Sequence, residues 1–521
     1  MINKNWWFIF SGLLFIIFIL TSCVLNKKEE SVSNSAFKVF TIDGGVYPQL
    51  IDSNTTQITF KWKVKPYCST NTYEVDIYLS RDTKLDESDM FLTSVSSKKQ
   101  SDSITLYSGD SDFDLLKEGY AGRYYVIYDT YCSNVGVHTA KVVSPIYLKA
   151  KWTVLIYMDG DNSLSSYTDL DLNEMIQVGS SRNVAIVTQV DTYGSNGVKR
   201  YFINPNEKVL LENLKELNMG DPQTLIDFGK WGVKNFPADH YLLILWNHGK
   251  GFKRAITITG IRRDICTDVT SGDSSLSIPE LNYALSAIKN YIGKKIDVIG
   301  MDACLMNMIE VGYEIRDTAE YLVASENTEP GNGWPYDKML LYLKQNPSID
   351  AEALAKSMVQ NFGSVYNVGD EATLSAVKLD TLSSVISSLN ALSKTLIMDL
   401  KNDTTGTLKS TILTKVVANV QRFNDLAEDT ITSKDSYVDL YDFALLISQN
   451  FLAYSALASN LMRAINATVI ANVNTGGSVA NAYGLSIWLP NFSVYQQYKS
   501  LYDQLSFTND TYWEEFFTLL F

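Results

Sequence analysis

The chain has 521 residues, which is too long for a single hydrophobic core and predicts two or three domains. Hydrophobic residues make up 46% of it and charged residues 20%, a balance that is typical of globular proteins and excludes a disordered chain. The formal net charge of −14 excludes a general nucleic-acid-binding protein, because contact with phosphates needs clustered Lys and Arg.

The N-terminal segment is typical of an exported protein. A lysine precedes an apolar run from Trp6 to Leu20, which suits a secretory signal better than a membrane-spanning helix. The run leads into Leu-Thr-Ser-Cys ending at Cys23, which resembles the bacterial lipobox. That resemblance implies removal of residues 1–22 and a lipid on Cys23, which would anchor the chain in the bacterial cell envelope. An ordinary signal with a chance cysteine would not explain the small residues at this spacing. Residues 23–36 are expected to form a flexible tether, because the segment is rich in Lys, Glu, Ser and Asn.

Residues 37–150 predict an all-β domain. Three stretches alternate or cluster β-forming residues between polar turns: Gln57–Val64, Tyr73–Leu79 and Gly122–Tyr131. Several strands within about 110 residues favour an immunoglobulin-like or fibronectin-like sandwich. Its role is expected to be spacing or presentation, or the binding of a glycan or protein, and His138 within it is expected to be structural.

The five cysteines divide between this domain and the rest of the chain. Cys68 and Cys132 lie at the ends of two predicted strands and can pair, since export permits disulfides. We expect Cys304 to be free, and Cys266 receives no role. No cysteines have zinc-finger spacing, and three histidines are few for a metal site.

From Lys151 the pattern changes to strands that alternate with helices. Buried strands are predicted over Trp152–Met158, Val184–Val190 and Tyr321–Ala324, and at the starts of Tyr241–Gly251 and Ile296–Met306. Helices are predicted over Leu170–Val178, Thr224–Lys234, Pro279–Tyr291 and Met308–Arg316. This alternation predicts a mostly parallel sheet with helices on both faces over residues 151–349.

Residues 350–521 are expected to complete the same unit. Up to residue 480 the pattern is largely helical, as in Ala351–Phe362 and Tyr437–Ser448. The later stretch Tyr483–Pro490 predicts one more strand, which can add to the main sheet.

Two buried strands end in residues that carry chemistry. His248–Gly249 follows one apolar run, and Asp302-Ala303-Cys304 follows the other. Reactive groups gather at the carboxyl ends of parallel strands, where these two residues suit a thiol nucleophile and its acid–base partner. Alone, each has a plainer interpretation, since a polar residue often ends a strand and free cysteines are commonly buried.

Neighbouring residues strengthen the enzymatic interpretation. Gly249 allows a close approach of its backbone N–H to a substrate oxyanion. Asp302 lies two residues before Cys304, so both side chains point the same way and the carboxylate can bind a cationic side chain. The N-terminus of the helix Met308–Arg316 is expected beside the thiol, where it would favour the thiolate.

These motifs resemble the clostripain family of cysteine peptidases, which belongs to a larger group with caspases, legumain and gingipains. The His-Gly pair after one strand and Asp-Ala-Cys after another carry the resemblance. Further agreeing stretches are Tyr157–Asn162, Trp246–Gly249, Thr270–Asp273, Ser325–Trp334 and Gly484–Ile487. Together they cover roughly residues 151–521 and occur in the family's order, while the N-terminal β domain lies outside the resemblance.

The resemblance implies a caspase-like α/β fold and endopeptidase activity on proteins or peptides. It implies that Cys304 is the nucleophile, His248 the acid–base residue, and the amides of Gly249 and Cys304 the oxyanion hole. Asp302 would lie in the pocket for the residue before the scissile bond. Such family members cut after Arg or Lys, and some bind calcium and cleave themselves.

The sequence itself requires no cofactor. Acidic stretches at Asp159–Asp161 and Asp268–Asp273 can hold calcium, although neither has EF-hand spacing.

One position departs from the family pattern. The resemblance leads us to expect an acid at Asn332. With Asp302 alone we expect a weaker preference for basic residues, so that Lys or a neutral residue is also accepted. Glu326 or Glu329 can compensate, although both also fit solvated loop carboxylates.

The pair Arg262-Arg263 lies in the polar connection between the two catalytic strands. It is a candidate site of self-cleavage, but two arginines in a loop also serve solubility alone.

Two other functions fit the same sequence. One is a lipoprotein adhesin or receptor with an inactive peptidase fold, against which the intact His248 and Cys304 argue. The other is a thiol transpeptidase on the same fold, in which an amine competes with water for the thioester. The sequence indicates no oligomeric state.

Overall fold

The structure is a computed structural model that describes residues 41–65, 72–132, 138–253, 265–423 and 436–521, and the backbone of two short strands within 255–262. The predicted signal segment, the tether, Cys23, Cys68 and Arg263 lie outside the described residues.

The N-terminal part is built from eight strands and one helix. The strands are β1 (Thr41–Tyr47), β2 (Leu50–Ile51), β3 (Gln57–Lys65), β4 (Tyr73–Ser80), β5 (Met90–Ser97), β6 (Ser101–Tyr107), β7 (Gly122–Tyr131) and β8 (His138–Leu148), and helix α1 is Ser111–Glu118. They form two sheets, ordered β1-β3-β6 and β2-β8-β7-β4-β5. This order is that of an immunoglobulin-like sandwich.

Strand β3 shows why the two sheets pack together. Its residues alternate between exposed and buried, as expected for a strand with one face toward the core. Trp62, on the buried face, contacts Tyr128 of the other sheet edge to face, and its indole N–H donates to the Tyr73 hydroxyl at 3.1 Å. Cys132 forms a disulfide, and the predicted partner Cys68 lies outside the described residues.

The second part is organised around a sheet of nine strands. They are β9 (Ala150–Gly160), β10 (Val184–Thr192), β11 (Lys199–Asn204), β12 (Glu207–Asn213), β13 (Ala238–Trp246), β18 (Ile296–Asp302), β19 (Ala319–Ala324), β20 (Thr373–Lys378) and β23 (Val469–Asn474), in the order β12-β11-β10-β9-β13-β18-β19-β20-β23. The five central strands, β10, β9, β13, β18 and β19, are parallel, whereas β11, β12, β20 and β23 pair antiparallel.

Within the described residues of this second part, seven shorter strands lie outside the nine-stranded sheet. They are β14 (Ala255–Thr257), β15 (Gly260–Arg262), β16 (Ile265–Asp268), β17 (Ser274–Leu276), β21 (Arg422–Phe423), β22 (Tyr437–Asp439) and β24 (Ser486–Trp488).

Helices cover both faces of the nine-stranded sheet. They are α2 (Ser165–Val178), α3 (Pro222–Asn235), α4 (Ile278–Ile292), α5 (Ile309–Ile315), α6 (Tyr336–Gln345), α7 (Ala351–Gly363), α8 (Leu382–Asn402), α9 (Thr407–Ile412), α10 (Leu440–Asn450), α11 (Ser455–Thr468), α12 (Phe492–Tyr502), α13 (Ser506–Asp510) and α14 (Trp513–Thr518). In β13, Leu243 and Leu245 join one core with α3 and α4, and Ile244 joins the other with α2, α6 and α7. This is the arrangement expected for strands buried on both faces.

The C-terminal part differs from the prediction in two places. The stretch around Ser486–Trp488 pairs with β22 in a small three-stranded sheet, so the expectation that it adds to the main sheet is wrong. The main sheet is instead completed by β20 and β23, which lie within the region expected to be largely helical. The helix expected over Tyr437–Ser448 begins at Leu440, because the three preceding residues pair as β22 and Asp439 caps the helix.

Among the described residues, no helix combines the length and the apolar character needed to cross a membrane.

Candidate active site

The site lies where the central strands end. Strands β13 and β18 are in register up to Trp246 and Asp302, and β9 and β10 up to Gly160 and Thr192. Asn247, directly after β13, donates its backbone N–H to the carbonyl of Asp302 at 3.2 Å. Parallel strands therefore bring both predicted catalytic segments to one edge of the sheet.

The loop after β13 is pressed against the nucleophile segment. A Cβ placed on Gly249 would lie 2.3 Å from the carbonyl oxygen of Cys304 and 3.0 Å from the Cβ of Ala303. Glycine is required here because of this close approach. The next residue after the thiol, Leu305, has a φ of 63°, a left-handed conformation that costs roughly 1–2 kcal/mol in a residue with a Cβ. This turn places Cys304 at the tip between β18 and α5.

The imidazole of His248 faces a serine that the sequence did not suggest. Its Nε2 lies 2.8 Å from the Oγ of Ser163, which belongs to the loop after β9. A hydroxyl can either donate to or accept from an imidazole nitrogen, so this contact can orient the ring in either tautomer. The loop after β9 thereby becomes part of the site.

The thiol of Cys304 is free and is held in its neutral form. Burial, and after it the nearby carboxyl group of Glu329, raise the pKa of this thiol to about 12. The Glu329 backbone N–H donates to Sγ at 3.2 Å and acts in the opposite direction. The expectation that the N-terminus of the following helix favours the thiolate of Cys304 is wrong for the free enzyme. The helix begins only at Ile309 and has seven residues, and burial of the thiol, with Glu329 and Asp302 nearby, raises the pKa instead.

An acidic cavity of about 160 Å³ opens beside the thiol. His248, Cys304 and Asp302 all line it, together with two further carboxyl groups, those of Asp171 and Glu329. Asn332 is exposed and does not line it. Glu329, three residues before Asn332, lines the cavity instead.

The carboxyl groups of the cavity share protons. Burial raises the pKa of Asp302 to about 6. Burial, together with the Asp302 carboxylate, raises the pKa of Glu329 well above its usual range. Glu329 therefore holds the proton that the pair shares. Burial, with a contribution from Asp302, raises the pKa of Asp171 to about 8. The Tyr336 hydroxyl donates to Asp302 at 2.8 Å and the Trp246 indole to Asp171 at 2.6 Å.

The other titratable residues singled out in the sequence lie away from this cavity. Glu326 is buried with Asp439, and burial raises the pKa of both. His240 bonds Asp297 at 2.6 Å and stacks on Trp152, in keeping with the structural role expected of it.

The remaining candidates outside the cavity are His138, Cys266 and Arg262. His138 bonds Asp129 at 2.8 Å in the β sandwich. Cys266 is free and fully buried, and Arg262 ends β15.

A separate acidic cluster lies beside the site. One carboxylate oxygen from each of Asp161, Asp191, Glu216 and Asp268 lies within 4.8 Å of the others. Oxygen donors at this density are what a hard cation such as calcium requires, so these residues fit the calcium that the family resemblance implies. The two stretches proposed from the sequence each supply one member, and Asp191 and Glu216 complete the set.

The sequence carried a signal for one of the missed residues. Asp171 shares the buried face of α2 with Leu172, Met175 and Val178. A carboxylate on the apolar face of a predicted helix is costly unless it has a partner, and it therefore marks a site. Ser163 gave no signal, because an exposed serine in a polar loop is ordinary.

A cysteine and a histidine at adjoining strand ends, over a cavity lined by carboxyl groups, define the site of a thiol-dependent hydrolase. The sequence profile of the clostripain family matches residues 156–519. The chain therefore belongs to the clostripain family and is a cysteine endopeptidase.

Relatives of known function or structure agree with this assignment. Clostripain of Hathewaya histolytica is 27% identical over 403 residues, which are 66% of this chain and 75% of that protein. A secreted C11 cysteine protease of Bacteroides thetaiotaomicron, solved with an irreversible peptide inhibitor, has a TM-score of 0.55 at 22% identity and covers 70% of this chain and all of its own. An inactive zymogen C11 protease of Parabacteroides distasonis has a TM-score of 0.53 at 24% identity, covering 70% and 99%. These structures show the shared caspase-like fold.

Proposed function

We propose that the chain is an exported, lipid-anchored endopeptidase that uses Cys304 and His248 to cleave peptide bonds after Arg or Lys. The observation that carries the specificity is the acidic cavity beside the thiol, with Asp302, Glu329 and Asp171 on its wall. A buried group of carboxyls selects a cationic side chain, because any other occupant leaves them unpaired.

The reaction is acyl transfer. The thiol proton of Cys304 passes to His248 as sulfur attacks the scissile carbonyl, whose oxyanion accepts hydrogen bonds from the amides of Gly249 and Cys304. Collapse forms the thioester, and the imidazolium of His248 gives its proton to the leaving amine. Water, deprotonated by the same imidazole, then releases the carboxylic acid and restores the thiol.

Specificity rests on the carboxyl pair. Asp302 carries the charge in the free enzyme, and Glu329 holds the shared proton. A guanidinium or ammonium group that enters the cavity displaces that proton and pairs with both oxygens, a charge-assisted contact that is stronger than a neutral one. Asn332 is then not needed as an acid, which accounts for the departure at that position.

Export and anchoring rest on the N-terminal sequence. The apolar run and the lipobox-like tetrapeptide before Cys23 support them. The B. thetaiotaomicron structural relative is described as secreted. Metabolic labelling with palmitate, compared with a Cys23→Ala chain, tests the anchor, and equal labelling of the two chains would exclude it.

Self-cleavage follows from the same specificity. The pair Arg262-Arg263 offers two basic residues between the catalytic strands. Intact mass of the wild-type chain and of a Cys304→Ala chain tests it, and a break in both chains would assign the cleavage to another protease.

The peptidase itself is tested by incubating residues 24–521 with a peptide library, beside the Cys304→Ala variant and with and without calcium. Cleavage after Arg or Lys that vanishes in the variant is expected. Thiol-dependent cleavage after other residues would overturn the basic specificity, and the absence of cleavage would favour the binding-protein alternative. Product capture by an added amine in place of water would identify a transpeptidase.

A further inference from the structure

We propose that a cavity between the β sandwich and the peptidase domain, the part built around the nine-stranded sheet, binds a small ligand that carries a phosphate group. The cavity has a volume of about 440 Å³, within the range of roughly 300–1,000 Å³ that is usual for small-molecule sites. Its four cationic side chains are Lys117, Lys149, Lys151 and Arg182. The proposal is independent of the catalytic roles assigned above.

The walls of the cavity come from both domains. The sandwich supplies residues 52–54, which follow β2, and Lys117 of α1. The peptidase domain supplies the start of β9, the turn at Arg182 before β10, and Asp239 at the start of β13. Strand β9 has eleven residues at about 3.3 Å each, so the cavity lies on the order of 30 Å from the catalytic edge of the sheet. A ligand bound here leaves the active site open.

Hydrogen bonds across the domain junction hold these walls in place. The Ala121 N–H of the sandwich donates to the carbonyl of Ser181, the residue before Arg182, at 3.3 Å. The Lys149 N–H donates to the carbonyl of Ile51 at 2.8 Å. Arg182 in turn donates through Nη1 to the Lys149 carbonyl at 2.6 Å. The fold of the junction therefore fixes the positions of the cavity's cations relative to one another.

The charge of the cavity indicates an anionic ligand. Of the ten described residues that line it, four are cationic, two are acidic and only Ala150 is apolar. Both acids are already engaged. Asp239 lies 2.7 Å from the Lys149 ammonium and 3.0 Å from that of Lys151. Asp52 accepts hydrogen bonds from its own loop. An excess of positive charge remains, in a chain whose formal net charge is −14.

Two of the cations have no carboxylate partner. Within the described residues, neither Lys117 nor Arg182 forms an ion pair. Burial lowers the pKa of Arg182, and Tyr124 and Asp52 oppose that shift less strongly. A partly buried guanidinium without a countercharge is costly unless an anion meets it.

The arrangement of the cations favours phosphate over a carboxylate. Lys149 and Lys151 are two positions apart in an extended segment, so their side chains project to the same side, where Asp239 holds both ammonium groups. A phosphomonoester carries about −1.5 to −2 charges at neutral pH and three acceptor oxygens, which several cations can share. A guanidinium can donate two parallel hydrogen bonds to such a group. A carboxylate, with one charge and two oxygens, would leave part of the positive charge unmatched.

Two kinds of compound carry such a group. One is a soluble sugar or polyol phosphate, and the other is a membrane lipid with a phosphate headgroup. The chemistry that the cavity recognises is the same in both, and vesicle binding distinguishes them.

The site is tested by calorimetric titration of glycerol 3-phosphate into residues 24–521 carrying Cys304→Ala, which prevents self-cleavage. We expect one site per chain. Arg182→Gln removes an unpaired charge and should weaken binding by at least about tenfold. Lys84→Gln removes an exposed lysine of the sandwich that does not line the cavity, so binding should stay unchanged. No binding to the parent chain, or equal binding by all three chains, would overturn the site.

A second variant separates loss of the ligand from loss of the fold. Lys117→Gln changes a side chain of α1 that forms no ion pair, so without ligand it should unfold close to the midpoint of the parent chain. Glycerol 3-phosphate should raise the thermal midpoint of the parent, and should raise that of Lys117→Gln less. Undiminished glycerol 3-phosphate binding by Lys117→Gln would remove this residue from the site and refute the proposal.

Hydrogen exchange locates the bound ligand. Glycerol 3-phosphate should slow amide exchange around residues 52–54 of the sandwich and around residues 182–183 of the peptidase domain. Exchange around His248 should not change, since that residue lies at the opposite end of the sheet. Slowing confined to one domain, or slowing around His248, would contradict a site at the domain junction.

Vesicle sedimentation identifies the source of the phosphate. Residues 24–521 lack the predicted lipidation site Cys23, so sedimentation with vesicles must come from the folded protein. Sedimentation with phosphatidylcholine vesicles that contain phosphatidic acid, lost in Arg182→Gln, would assign the cavity to a membrane lipid. Binding of glycerol 3-phosphate without such sedimentation would assign it to a soluble phosphate compound. Sedimentation that Arg182→Gln retains would exclude the lipid as the ligand of this cavity.

Discussion

Replacing Glu329 with Gln tests whether this residue supplies the acid that is missing at Asn332. The Glu329 carboxyl pairs with Asp302 and its Oε1 lies 3.3 Å from the Trp334 indole N–H. Glutamine keeps the size of the side chain and an acceptor for Trp334, so the substitution removes charge and little else. Any change in specificity is then electrostatic in origin.

The expected loss follows from the strength of a charged contact. A hydrogen bond to a charged group contributes about 1.5–3 kcal/mol, which corresponds to roughly a ten- to 150-fold change in rate constant. Removing Glu329 also removes the neighbour that competes with Asp302 for charge, so Asp302 stays ionised and compensates in part. We therefore expect the lower end, about a tenfold fall in kcat/KM for substrates with Arg before the scissile bond.

The assay compares two peptides that differ only in Arg or citrulline at that position, because citrulline keeps the shape of arginine and lacks its charge. Glu329→Gln should reduce the Arg-to-citrulline ratio of kcat/KM, while Asn332→Ala should leave it unchanged because Asn332 is exposed. If Asn332→Ala lowered the ratio and Glu329→Gln did not, the assignment of the second acid would be wrong.

Three further predictions concern the thiol, its neighbouring glycine and the buried acids. Gly249→Ala should lower kcat on the order of 100-fold, because the new Cβ displaces the loop from the Cys304 carbonyl. Circular dichroism should show that the fold is retained, and an unchanged kcat would contradict the close approach. Alkylation of Cys304 in the free enzyme should keep accelerating up to about pH 10, since its pKa is raised to about 12, and a plateau near neutral pH would refute that shift. The thermal stability of the calcium-free protein should fall as the pH is raised from about 4 to 7. Burial raises the pKa of Asp191 from 3.8 to about 7, so within that window the unfolded chain has lost the proton that the folded chain keeps; a midpoint that rises with pH would contradict it.

Strands at the centre of the sheet were predictable because burial on both faces leaves an unbroken apolar run. All seven residues of β18 are buried, and in β13 the six residues from Tyr241 to Trp246 are buried. Helix α4 was equally readable, with Ser277 and Glu280 forming a capping box and Gly293 ending it in a left-handed conformation. In such elements local preference and tertiary packing agree.

The elements that escaped prediction depend on distant partners. Strand β20 has a short sequence of mixed character, and its pairing with β19 joins residues more than 50 positions apart. Strand β23 follows α11 directly, with no turn residue to mark the change. Local pattern cannot determine such pairings, because long-range packing overrides weak propensity.

The same limit applies to the site. His248 and Cys304 end strands that could be recognised, so their meeting followed from sheet topology alone. Glu329 and Ser163 lie in irregular loops, and their places depend on how those loops fold over the strand ends. The sequence offered Glu329 only as one of two candidates.

The acidic cavity also sets the reactivity of the thiol, which leads to a final prediction. Burial raises the pKa of Cys304 most, and Glu329 and Asp302 contribute in the same direction, so the free enzyme holds a neutral thiol. A cationic side chain in the cavity opposes those charges and makes loss of the thiol proton easier. Recognition of a basic residue should therefore activate the nucleophile as well as bind the substrate.

This coupling predicts that the Arg and citrulline peptides differ in kcat as well as in KM. If the cavity served binding alone, removing the substrate charge would raise KM and leave kcat unchanged. We expect citrulline to lower kcat, measured as the single-turnover acylation rate at saturating peptide. The difference should shrink at high pH, where the thiol ionises without help. Equal acylation rates for both peptides across the pH range would show that the carboxyl groups select the substrate without influencing the thiol.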